Sequence, residues 1–124
     1  MKLYKRFSFS KWIFVFILFT LVSCNRQLKF DKERWNDQVD PVFPSLYRPK
    51  MLNDLINNNR LVGLQYHQLI ELIGIPDNKD GSSMSYRIDV DYSSNIDPVY
   101  TKDLKFTYSR DSSITSIKVV EWKE

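Results

Sequence analysis

Apolar and polar positions divide the chain into segments with different periods. Residues 12–22, WIFVFILFTLV, form an apolar run broken only by Thr20. Its 11 residues fall well short of the ~18–20 that span a bilayer as a helix. Met51, Leu52, Leu55 and Ile56 share one stripe at helical spacing. They predict a first helix that begins near Pro49, a good first-turn residue, and stops at Asn57-Asn58-Asn59. A second helix is predicted from Tyr66 to Ile73, with Leu69, Ile70, Leu72 and Ile73 on its buried side. Gln65 is its expected N-cap, Gln68 can reach back, and Gly74 and Pro76 end it.

The remaining pattern has period two. Met84, Tyr86, Ile88, Val90 and Tyr92 alternate with Ser85, Arg87, Asp89 and Asp91, as in a strand with one wet face. Leu104, Phe106 and Tyr108 alternate with Lys105, Thr107 and Ser109. Asp111-Ser112-Ser113 makes a turn, and a third strand covers about residues 114–122. There Ile117 and Val119 share one face while Val120 and Trp122 point to the other. Either a bulge shifts the phase, or two apolar groups stand on the outer face. The order helix, helix, strand, strand, strand predicts an α+β layer, two helices packed on a three-stranded antiparallel sheet.

Residues 25–46 lack a sustained period, mix charges of both signs and carry Pro41 and Pro44. They read as a tether, with Phe30 and Trp35 as exceptions that dock it on its own domain, the favoured reading, or on a partner, or that belong to a short helical turn.

Composition changes the reading of the N-terminus. Lys2, Lys5, Arg6 and Lys11 precede the apolar run, and no acid appears before Asp31. A basic stretch, a short apolar run and a small residue before a cut make an export signal. Leu21-Val22-Ser23-Cys24 resembles the bacterial lipobox. That resemblance implies a signal peptide over residues 1–23, cleavage before Cys24 and acylation of its thiol and new amine. Two or more acyl chains hold a protein stably on a membrane, where one does so only marginally. Modification also removes the oddity of one free thiol in an exported protein.

Cleavage removes four basic residues and leaves 14 Lys/Arg against 15 Asp/Glu, so the formal charge of +3 becomes −1. Nucleic-acid binding loses its electrostatic support. The chain is organised as signal peptide 1–23, lipidated Cys and tether 24–46, and a domain over 47–124.

Leu61-Val62-Gly63-Leu64, the helix end Leu72-Ile73-Gly74, the following Ile75-Pro76-Asp77 and Ser85-Tyr86 resemble the signature of the SmpA/BamE-like lipoproteins. The resemblance covers about residues 47–122. It implies two helices on a three-stranded antiparallel sheet, a fold shared with β-lactamase-inhibitor-protein repeats. Leu64 stands where the family usually has Met, and Gln65 where it has Ser or Thr. No lipid-contacting or partner-contacting residue of the family finds a matched motif here. The long charged segment with Trp35 resembles small lipoproteins of Bacteroidota.

Candidate chemistry is sparse. His67 is the single histidine and has no motif-supplied nucleophile or carboxylate beside it. Asp89 and Asp91 share a strand face with Arg87, which can neutralise them. Asp77 to Gly81 mimics a Ca²⁺ loop but has Ser82 where Gly is needed and Ile88 where Glu is needed. It reads as a turn. Five tyrosines, Tyr66, Tyr86, Tyr92, Tyr100 and Tyr108, suit strand packing. With three glycines in the chain there is no Gly-rich phosphate loop.

No enzymatic role, cofactor, metal or small-molecule substrate is therefore expected. The expectation is a lipid-anchored, non-enzymatic envelope protein that binds another envelope protein, in outer-membrane assembly or maintenance. Trp35, Val120 and Trp122 are the candidate partner contacts. The alternative is an inhibitor or immunity-like lipoprotein that binds a secreted enzyme. Asn25 follows Cys24, and no Asp there resembles an inner-membrane retention signal. The outer membrane is expected, on its periplasmic leaflet.

Overall fold

The structure is a computed structural model that describes residues 26–124. The signal peptide and Cys24 lie outside the described residues. Among the described residues three helices precede four strands: α1 (Lys32–Trp35), α2 (Arg48–Asn58), α3 (Tyr66–Ile73), β1 (Asn78–Asp80), β2 (Ser83–Asp91), β3 (Tyr100–Tyr108) and β4 (Ile114–Lys123). The class is α+β and the sheet is antiparallel, in the order β1-β2-β3-β4.

The helices arise from local signals. The Asp31 side chain caps α1 by accepting from the Arg34 amide at 3.1 Å. Pro49 sits in the first turn of α2, which buries Met51, Leu52 and Leu55. Of the three Asn residues predicted to stop α2, Asn57 and Asn58 continue the helix and Asn59 ends it in an extended conformation. At α3, Gln68 accepts from the Gln65 amide at 2.9 Å, while the Gln65 side chain donates to Ser113 at 3.0 Å. Gly74 closes α3 at φ 113°, a conformation that L side chains rarely adopt.

Two corrections concern element count. The Asp77–Gly81 turn is part of a hairpin, because Asn78–Asp80 pair with Ser83–Ser85 as β1. Three exposed polar residues give no apolar alternation to read. Residues 28–36, read as tether, instead carry α1 and pack on the domain; Phe30 and Trp35 dock there as the favoured reading of these two residues has it, and Trp35 also ends a short helix. Leu28 N donates to Lys50 O at 2.9 Å, and Phe30 N donates to Asp54 Oδ2 at 2.7 Å. Asn36 Nδ2 donates to Ile73 O at 2.7 Å. Residues 28–36 thus strap across α2 and the end of α3.

Trp35 is fully buried, correcting its candidacy as a partner contact. Edge-on aromatic contacts run from Phe30 to Trp35, from Trp35 to Tyr86, and from Tyr86 to Phe106. The strap therefore joins the core that α2 and α3 build against Met84, Tyr86, Leu104 and Phe106. The helices cover this inner face of the sheet. The loop between α2 and α3 is stitched to β4, with Gly63 N donating to Ile114 O and Ile114 N to Leu64 O, both at 2.8 Å.

Bulges decide which residues reach the core. The β2–β3 register shifts between Arg87 and Asp89. Beyond that shift Val90 pairs with Thr101, which lies on the outer face by alternation from Leu104. Val90 accordingly stays outside the core cluster that Ile88 joins. A second shift at the start of β4 leaves Thr115 unpaired and lets both Ile114 and Ile117 pack inward. From Ser116 onward the pairing is regular, which fixes Val120 and Trp122 on the outer face. Of the two readings of the β4 pattern, the one with apolar groups on the outer face holds, because the register shift lies before Ser116 and not between Val119 and Val120.

Candidate functional site

β4 is an edge strand of ten residues; the α2–α3 loop covers its outer edge at Ile114, and among the described residues no backbone hydrogen bond to another element covers that edge from Ser116 onward. Its outer backbone edge offers N–H and C=O groups that another strand can use. The side chains add to this. Val119 is 38%, Val120 36% and Trp122 49% exposed. Val119 lies on the inner face opposite Leu104, at a margin the helices do not cover. Val120 lies opposite Asp103, and Trp122 opposite Thr101.

The outer face around them is fixed by ordered neighbours. Arg87 Nε pairs with Asp103 Oδ1 at 2.6 Å beside Val120. Thr101 is buried between Val90 and Trp122, so the indole stands on a small apolar platform. The loop after β2 brings Asn95, Ile96 and Pro98 near Trp122, where they line an open cleft of about 670 Å³. Ile96 is 96% exposed. The backbone N–H of Glu124 donates to Val99 O at 3.0 Å and holds the end of the chain beside this loop. Lys102 and Glu121 form a looser pair at 3.7 Å. The result is an exposed apolar strip with an open strand edge and a charged surround, chemistry suited to binding a protein surface.

The sequence candidates separate in space. Val120 and Trp122 come together on β4, whereas Trp35 lies in the core. Ile96 and Val119 were missed; Ile96 is a lone apolar residue in a polar loop, which leaves no periodic signal. His67 is exposed on α3. The expected neutralisation of Asp89 and Asp91 by Arg87 does not occur. The bulge separates Arg87 from Asp89, and Arg87 pairs with Asp103 instead. Asp89 accepts from the Val90 amide, and Asp91 from the Ser93 amide.

The tyrosines are dispersed over the fold. Tyr66 and Tyr108 meet edge-on, with Lys79 Nζ 4.5 Å from the Tyr66 centroid. Tyr92 packs against Phe43. Tyr86 is buried, donates its hydroxyl to Gly74 O at 2.6 Å, and has its pKa pushed up by burial. Among the described residues, no three His, Cys, Asp or Glu groups gather as metal ligands.

Arg48 is the other residue the sequence did not single out. It is 3% exposed, and donates through Nε to Trp35 O at 2.8 Å and through Nη1 to Arg87 O at 2.8 Å. It also pairs with Asp77 Oδ2 at 2.5 Å. The same carboxylate oxygen accepts from the Arg87 amide at 2.7 Å. This network fastens the strap to the sheet beneath the interaction surface.

In comparisons with known proteins, the chain matches no family model, no curated protein and no solved structure.

Proposed function

We propose that this chain is a lipid-anchored cell-envelope protein whose α+β domain is a non-enzymatic protein-interaction module. Acylated Cys24 holds it to the outer membrane, with the domain on the periplasmic side. Its partner is another envelope protein, and the SmpA/BamE-like resemblance points toward outer-membrane assembly or maintenance.

The observation that carries this reading is the β4 margin. A ten-residue edge strand exposes Val120 and Trp122 on its outer face, Trp122 beside Ile96, and Val119 on its inner face. Edge strands in proteins that work alone are usually short, charged or covered. This one carries Lys118, Glu121 and Lys123 and is covered at Ile114, yet it is long and holds its largest apolar group, Trp122, on open surface. The lipobox supplies the second half of the reading, because an anchor keeps such a surface where membrane partners are concentrated.

Two measurements on the full chain test it. Mass spectrometry of the N-terminal peptide should find Cys24 as the first residue, carrying acyl chains. A Cys24→Ser variant should lose cleavage before residue 24 and acylation, and a variant still cut after residue 23 and membrane-bound would overturn the anchor. Unmodified Cys24 in a membrane-bound protein would overturn the anchor. Crosslinked pull-down from detergent-solubilised membranes should recover a specific envelope protein. Recovery of one soluble secreted enzyme would favour the inhibitor reading instead, and recovery of no specific protein would overturn the interaction reading.

A further inference from the structure

Docking of the strap shortens the connection between anchor and domain. Among the described residues, Leu28 is the first whose backbone is bonded to a helix, its amide donating to Lys50 O. Only four peptide steps separate Leu28 from Cys24. A chain of four residues reaches at most about 14 Å. A domain of about 100 residues is roughly 30–35 Å across. The leash is therefore less than half the width of the body it holds, and the body cannot turn this region away from an anchoring surface.

The surface beside that attachment point is polar and net basic. Lys50, Asn53, Asp54 and Asn57 follow one side of α2 at helical spacing, away from buried Met51, Leu52 and Leu55. Arg26, Lys29 and Lys50 are exposed. Asp54, the acid among them, is engaged by the Phe30 amide and by Asn58 Nδ2 at 2.5 Å. Cations close to a membrane are drawn to anionic headgroups, and nothing here is apolar enough to insert.

We propose that Lys29 and Lys50 on the outer side of α2, with Arg26 next to them in the chain, lie against anionic phospholipid headgroups of the membrane that holds Cys24. This inference rests on the lipid-anchor reading. It has a consequence for binding. The inner sheet face meets α2, so the outer face with Val120 and Trp122 is directed away from the bilayer, toward a partner that extends beyond the membrane surface.

The test uses the full, acylated chain in vesicles of phosphatidylcholine and phosphatidylglycerol. Acylated Cys24 has no free thiol, so Asn53→Cys or Lys118→Cys provides the only site for a fluorescent donor. Energy transfer to headgroup acceptors is expected to be at least twofold greater from position 53 than from position 118. Inserting 15 Gly/Ser residues between Asn25 and Arg26 should lower transfer from position 53 in pure phosphatidylcholine. The double variant Lys29→Glu/Lys50→Glu should lower it in mixed vesicles at low salt. Equal or reversed transfer in protein that still co-sediments with vesicles would overturn the orientation and leave the anchor standing. Unchanged transfer in the double variant would overturn the anionic headgroup as occupant. Loss of co-sedimentation by the parent chain would overturn the anchor and this inference together.

Discussion

The guanidinium of Arg48 lies over the Trp35 ring at 5.2 Å from its centroid and donates to the Trp35 carbonyl at 2.8 Å. One residue of α2 thus grips both the ring and the backbone of the strap's last helical residue. Its other hydrogen bonds reach Asp77 and Arg87 O, so strap, hairpin and sheet share one cation. Arginine suits this place because its planar fork serves several acceptors at once while its face stacks on an aromatic ring.

Replacing Arg48 with Met should cost on the order of 3 kcal/mol, because buried carbonyls lose their donors as the ring loses its cation. Arg48→Lys should recover less than half of that, having no fork. Denaturant midpoints of the three proteins check this.

Trp35 and Trp122 should respond in opposite ways. Trp35→Ala opens a core cavity and should cost about 3–5 kcal/mol. Trp122→Ala removes a half-exposed ring and should shift stability by less than about 1 kcal/mol. The same Trp122 variant should weaken partner capture, which separates a binding residue from a folding residue. Thermal melts and pull-down yields measured side by side give both halves of the comparison.

Gly74 carries two constraints where Gly63 carries one. Both have positive φ, but a Cβ at Gly74 would come within 2.7 Å of Asn36 Nδ2, whereas at Gly63 it meets nothing. Gly63→Ala should cost about 1 kcal/mol in backbone strain. Gly74→Ala should cost more, since it also pushes Asn36 away from Ile73 O. Amide exchange at Trp35 and Asn36 should accelerate only in the Gly74 variant.

The strap should loosen in acid. The Phe30 amide, and then the Asn58 side chain, hold the Asp54 carboxyl below its usual value of 3.8. Its folded pKa is depressed, so its contribution is present above that value and is lost as pH falls through the folded pKa. The Phe30 amide resonance should move, and its exchange quicken, below about pH 4. Asp54→Asn should remove that pH dependence. A wild-type Phe30 resonance that stays fixed through this range would contradict the assignment.

Local signals made α3 readable to its ends. Gln68 beside Gln65, then Gly74 and Pro76, act within a few residues of the helix they bound. The strap was not readable in the same way. Leu28, Phe30 and Asn36 find partners at Lys50, Asp54 and Ile73, far along the chain, and a four-residue helix has no periodic pattern. The β2 bulge was hidden because Ile88 and Val90 are both apolar, so alternation in sequence continues across a change of face. On β4 the outward Val120 and Trp122 were legible as a broken phase, but choosing between bulge and exposed face required the β3 register.

The β4 surface is tested most directly by a photoreactive residue placed at Val120 or Trp122 in the otherwise native chain, irradiated in cells. We expect a discrete adduct with an envelope protein from both positions, and none from the same residue at exposed His67 on α3. The same adduct from position 67, or no adduct from β4 in cells where pull-down recovers a partner, would contradict a binding role for this strand.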